Sequence, residues 1–85
     1  MTKAKILIIE DDKEISRLTA MYLEAENYHT QIVTDGLKAV SSVQHYQPEL
    51  IILDLMLPGL DGISICKQVR EFYFHPILVL TACAD

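Results

Sequence analysis

The sequence predicts an α/β fold, a doubly wound parallel sheet, on three observations. Two apolar runs, Ile6-Leu7-Ile8-Ile9 and Leu50-Ile51-Ile52-Leu53, show no polar alternation, the pattern of strands buried on both faces of a parallel sheet. Stretches of about ten residues with helical spacing separate the strand-like runs, which is the alternation of βαβ units with right-handed crossovers. Polar residues stand just past three of the runs, as Glu10-Asp11-Asp12, Asp54 and Thr81. That is the sheet edge at which such folds bind ligands.

The first strand is the 6–9 run. From Ile15, apolar residues recur as Ile15, Leu18, Tyr22 and Ala25, predicting a first helix that ends near Asn27, with Asp11 and Glu14 spaced as a capping box. Residues 29–34 have mixed polarity, as expected of a short strand at the sheet edge. Asp35-Gly36 closes that strand, and Asp35 is placed to cap a second helix over 37–46 whose apolar face is Leu37, Val40 and Val43. Pro48 bars its continuation. Residues 50–53 form the third strand, and Asp61 caps a third helix carrying Ile65, Cys66, Val69 and Phe72. His75-Pro76 ends a short connection through Phe72-Tyr73-Phe74, and Ile77-Leu78-Val79-Leu80 is the fourth strand.

At 85 residues the chain is at most one domain with a modest core. Hydrophobic residues at 51% and charged residues at 22% indicate a chain that folds around that core. Twelve acidic against seven basic residues give a formal charge of −5. This excludes a phosphate backbone as direct ligand and favours basic or metal-ion partners. Cys66 and Cys83 lie apart from any Cys/His cluster, so both are read as reduced and structural. The N-terminal apolar run, broken by Glu10-Asp11-Asp12, is too short for a signal peptide or a membrane span, and a cytoplasmic location follows as the default.

If the first and third strands are neighbours, Asp11 and Asp54 converge to within a few ångströms, where like charges repel strongly. Such a cluster calls for a cation. Hard oxygen ligands with no nearby imidazole or thiolate suit Mg2+ or Mn2+, which keeps several waters and takes one or two carboxylates plus a phosphate oxygen. The pocket therefore predicts a phosphoryl ligand as well as a metal. Thr81 offers a hydroxyl at the same edge, and the small Ala82 leaves room for a tetrahedral group. Each residue also has a plain structural reading. Asp54 suits a turn or N-cap at a strand end, Thr81 suits a β-branched strand residue, and the three acids suit a helix N-terminus complementing the macrodipole.

The residues Ile-Leu-Ile-Ile-Glu10-Asp11-Asp12, Leu53-Asp54-Leu-Met56-Leu-Pro58-Gly59-Leu-Asp61-Gly62 and Pro76-Ile-Leu-Val-Leu-Thr81-Ala82 resemble the receiver domain of bacterial two-component response regulators across the whole chain. Met-Leu-Pro-Gly followed by Asp-Gly further resembles the winged-helix, OmpR/PhoB-type transcription regulators. The resemblance implies a flavodoxin-like receiver fold with strand order 2-1-3-4. It implies that Asp54 accepts a phosphoryl group from a sensor histidine kinase. It also implies that Asp11, Asp54 and the backbone carbonyl of Met56 bind Mg2+, with Glu10 acting through a metal-bound water. Asp12 matches a variable position and serves as a capping acid. Thr81 becomes the switch hydroxyl that moves to the phosphoryl oxygen. DNA would be reached only through an output domain outside this chain, and no membrane partner is implied.

The chain departs from that family in lacking a fifth strand with its lysine and aromatic switch residue, and the helices that flank it. Residues 1–85 are therefore expected to be the N-terminal part of a receiver. Its fourth strand would be an exposed edge that favours a homodimer, aggregation or a swapped assembly. Three rival readings remain. A receiver-like interaction domain would work without phosphorylation. A phosphatase of the haloacid-dehalogenase type wants a second acid two residues after the nucleophile, where this chain has Met56. A flavin-binding module wants a Ser/Thr/Gly-rich phosphate loop after the first strand, which is missing here.

Overall fold

The computed structural model describes residues 3–55, 57 and 61–80. Within them the order is β1 (Lys5–Ile9), α1 (Lys13–Ala25), β2 (His29–Val33), a 3-10 turn (Gly36–Lys38), α2 (Ala39–Tyr46), β3 (Leu50–Asp54), α3 (Gly62–Val69) and β4 (Ile77–Leu80). The strands form one sheet in the order β2-β1-β3-β4. All three pairings are parallel, with Ile9 opposite Val33 and Leu53, and Asp54 opposite Leu80.

The unbroken apolar runs are explained by two cores, one on each face. Leu7, Ile9, Ile51 and Leu53 point to the side of α2 and α3, where they pack with Ala39, Val43, Ile65 and Val69. Ile6, Ile8 and Ile52 point the other way and pack with Ala20 and Leu23 of α1. Successive side chains of a strand face opposite sides, so a strand covered on both must be apolar at every position. β2 takes the expected edge place and is mostly exposed.

Several sequence expectations are corrected. The face of α1 that meets the sheet is not Ile15, Leu18, Tyr22 and Ala25, all of which are exposed. It is Ser16 and Ala20, with Leu23 packed alongside. Small residues let the helix lie close to the strands, and Ser16 satisfies its hydroxyl on the carbonyl of Lys13 at 3.2 Å. Asp11 does not cap this helix, because Asp12 does, its Oδ1 accepting from the N–H groups of Glu14 (2.9 Å) and Ile15 (3.0 Å). In the second helix Leu37 falls in the preceding 3-10 turn and is exposed, so the buried residues are Ala39 and Val43. Asp35, expected to cap the second helix, caps that turn instead, accepting from the N–H of Leu37 at 3.0 Å, and α2 itself starts at Ala39 without a side-chain cap.

α3 is capped by Asp61, as the sequence indicates. It ends at Val69, so Phe72 lies beyond it and is exposed, while Tyr73 turns into the core. No helix among the described residues is long and apolar enough to cross a membrane.

Candidate metal and phosphoryl site

The site is assembled where β1 and β3 end side by side. Glu10 extends the sheet one residue past β1, its N–H donating to the carbonyl of Val33 at 3.0 Å. Its side chain is buried at 7% exposure, and its Oε2 accepts from the N–H of Asp12 at 3.1 Å. The three consecutive acids thereby take three different positions. Glu10 points inward, Asp12 is bound to the helix it caps, and Asp11 is left exposed at the sheet edge.

Asp54 is the last residue of β3 and half-buried. The N–H of the next residue, Leu55, donates to Leu80 of β4 at 3.1 Å, which holds the strand end in the sheet. Carboxylate oxygens of Glu10, Asp11 and Asp54 all lie within 4.8 Å of one another. α3 packs against the same corner. A Cβ on Gly62 would stand 2.7 Å from the Cα of Leu55, so only glycine allows that approach.

The crowding has an electrostatic signature. Burial pushes the Glu10 carboxyl up to about 7, against the pull of the Asp12 N–H. Its hydrogen bond to Asp54, the Asp54 charge and its hydrogen bond to Asp11 contribute to that same rise. An acid in that condition favours either a proton or a cation. The donors are three carboxylates, a set that suits a hard divalent ion such as Mg2+ or Mn2+.

Glu10, Asp11 and Asp54 are therefore brought together as the sequence expects. Met56 and Thr81, with Pro58, Gly59 and Ala82, lie outside the described residues. The burial of Glu10 was not legible as such, since the apolar run ends one residue before it.

Residues 6–85 match the model of the response regulator receiver domain family. The chain belongs to that family. Among curated relatives, the receiver is 45% identical over 80 residues to the transcriptional regulatory protein ResD of Bacillus subtilis, covering 94% of this chain and 33% of ResD. It is 36% identical over 83 residues to the DNA-binding response regulator MtrA of Mycobacterium tuberculosis, covering 98% of this chain and 36% of MtrA. It thus spans about a third of the length of these relatives. Among solved structures, the BeF3-activated N-terminal receiver domain of Klebsiella pneumoniae RstA superposes with a TM-score of 0.89 at 34% identity, over 95% of this chain and 69% of that one. The receiver domain of the Francisella response regulator 1452 does so with a TM-score of 0.89 at 30% identity, over 98% of this chain and 69% of that one. Membership displaces the phosphatase and flavin-binding alternatives.

Proposed function

We propose that this receiver is a phosphoacceptor whose Asp54 takes a phosphoryl group from a sensor histidine kinase. The observation that carries this reading is the convergence of Glu10, Asp11 and Asp54 at the ends of two adjacent central strands. One carboxylate oxygen of Asp54 attacks phosphorus as the bond from phosphorus to the histidine nitrogen breaks, giving an aspartyl phosphate, and the departing imidazole keeps the electron pair. Such a transfer needs positioning and charge neutralisation more than covalent assistance, and a bare carboxylate suffices as nucleophile.

Asp11 and Asp54 are the residues to hold Mg2+ directly, with Glu10 acting through a water and the Met56 carbonyl completing the set. Bound there, the ion supplies positive charge against which an anionic nucleophile and an anionic donor can approach. Thr81 is assigned the hydroxyl that answers phosphorylation. Readout would pass to a DNA-binding output domain of the winged-helix kind, in keeping with the names of the relatives ResD and MtrA. The site of action would be the cytoplasm.

The test is incubation with acetyl phosphate and Mg2+, followed by intact-mass measurement. The expected result is a phosphoryl mass gain in the wild type that is lost in Asp54→Asn and on chelation of the metal. A wild type that gains no mass, or an Asp54→Asn variant that gains as much, would overturn the assignment in favour of a phosphorylation-independent interaction domain.

A further inference from the structure

Helix α3 meets the end of β3 with its first residue and the entry of β4 with its last. Gly62 lies so close to the backbone of Leu55, the residue after Asp54, that a Cβ there would stand 2.7 Å from the Leu55 Cα. The C-cap of the same helix is Arg70. Its Nη1 donates to two carbonyls of the connection into β4, those of Tyr73 at 2.9 Å and His75 at 2.7 Å. The next carbonyl along the chain, that of Pro76, accepts from the N–H of Ile51 at 3.2 Å and opens the ladder between β3 and β4. Arg70 thus fixes the chain one residue before β4 joins the sheet.

β4 depends on that entry. It has four residues, roughly 13 Å at about 3.3 Å per residue, and Leu78, Val79 and Leu80 are exposed. Among the described residues it pairs only with β3. Its far end returns to the site, where the carbonyl of Leu80 accepts from the N–H of Leu55 at 3.1 Å. The contacts close a circuit, from Leu55 through Gly62 and α3 to Arg70, and from His75 through β4 back to Leu55. Ile65 and Val69 are fully buried and seat α3 in the core, so the helix is the fixed member of this circuit and β4 the one that must be held.

Arginine suits the task. Its planar fork places N–H donors in fixed directions, and its guanidinium lies 5.9 Å from the centre of the Tyr73 ring, which is itself buried. Two charge-assisted bonds to carbonyls two residues apart set the path of the connection and not merely its mobility. We propose that Arg70 is a positioning residue for the phosphoacceptor: by fixing where β4 enters the sheet, it holds the Leu80–Leu55 bond and with it the placement of the Asp54 carboxylate. The proposal rests on the reading of Asp54 as phosphoacceptor and adds to it a residue at the end of the sheet remote from the carboxylates. A staple that only stiffened the turn would alter stability and leave the Asp54 end of β3 as it is.

The test compares Arg70→Met, which keeps an apolar stem over Tyr73 and removes the donors, with wild type. Amide hydrogen exchange read by mass spectrometry is expected to be about three- to tenfold faster over residues 51–55 and unchanged over 29–33 in β2. Mg2+ titrated alone at pH 8 is expected to bind about three- to tenfold more weakly, below the cost of removing a direct partner of a metal ligand. Arg70→Lys keeps N–H donors and recovers part of both effects. Thr30→Ala, which gives up the Thr30 hydroxyl bond to Glu24, lowers stability and leaves the Mg2+ affinity unchanged. Wild-type exchange over 51–55 in Arg70→Met, exchange equally accelerated over 29–33, an undiminished Mg2+ affinity, or an equal loss of affinity in Thr30→Ala would each overturn the proposal. Neither readout involves phosphoryl transfer, so failure of the phosphoacceptor reading shows in the mass measurement with acetyl phosphate and failure of this proposal shows here.

Discussion

Replacing Glu10 by Gln tests the electrostatic account of the site. Burial and the neighbouring Asp54 raise the Glu10 carboxyl from 4.5 to about 7. The folded state therefore keeps a proton over that interval that the unfolded chain has already released. The sign follows from linkage. Where the native state binds more protons than the unfolded one, stability falls as pH rises, so this site contributes its full stability below about pH 4.5 and loses it through about pH 7. The displacement corresponds to at most about 3 kcal/mol. Relaxation of the site and the weaker bond that a Gln oxygen makes to the Asp12 N–H bring the expected gain to roughly 1–2 kcal/mol. In the presence of a chelator at pH 8, Glu10→Gln should be the more stable protein, by about 4–8 °C in Tm for each kcal/mol in a domain of this size. Towards pH 5 the gap should close. Mg2+ should reverse the order at pH 8 by stabilising the wild type more than the variant. A gap of the same size at pH 5 and pH 8, or a variant less stable than wild type under chelation, would refute the reasoning.

Asp12→Ala should lose about 1 kcal/mol in urea unfolding as the α1 cap is removed, whereas Asp11→Ala keeps the cap and instead weakens Mg2+ binding in a titration. Gly62→Ala drives a methyl against the Leu55 backbone; it should destabilise by about 1–3 kcal/mol and, because Leu55 adjoins Asp54, weaken Mg2+ binding as well. Among the described residues β4 pairs only with β3, and Leu78, Val79 and Leu80 are exposed, so the 85-residue chain should self-associate through this edge. Sedimentation velocity over a wide concentration range checks this, with Val79→Lys expected to restore the monomer and a concentration-independent wild-type monomer counting against it.

The central sheet was legible because burial on two faces leaves a mark that needs no context. Ile6 through Ile9 and Leu50 through Leu53 have no polar position to spare, and the two cores divide them by parity. Helix α1 was legible as a helix but not in its rotation. Ile15, Leu18 and Tyr22 form one stripe, and Ser16, Ala20 and Leu23 form another about 130° away. Spacing identifies both, and hydrophobicity selects the wrong one, because close packing of this helix on β1 and β2 favours small residues over large. The same limit applied to the acids. Which of Glu10, Asp11 and Asp12 turns inward, caps or stays exposed is set by local hydrogen bonds, the Asp12 N–H to Glu10 Oε2 and the Glu14 and Ile15 N–H groups to Asp12 Oδ1, which have no counterpart in the spacing.

The bond from Asp12 to Glu10 also explains how a destabilising cluster persists at the sheet edge. Glu10 is tied to the sheet through its own N–H on Val33 and to the α1 turn through its side chain. Asp54 stands at the end of a strand whose last bonds run to β4. The backbones that carry Glu10 and Asp54 cannot separate without breaking pairing in the two central strands, so the crowding of these two carboxyl groups persists in the folded state and is relieved by protonation or by a cation. A ligand that binds only the folded state adds stability in proportion to the logarithm of its concentration over its dissociation constant. Cation binding at this corner is thus coupled to the stability of β1 and β3 together, and a substitution that loosens either strand end should weaken the affinity even when all three carboxylates remain.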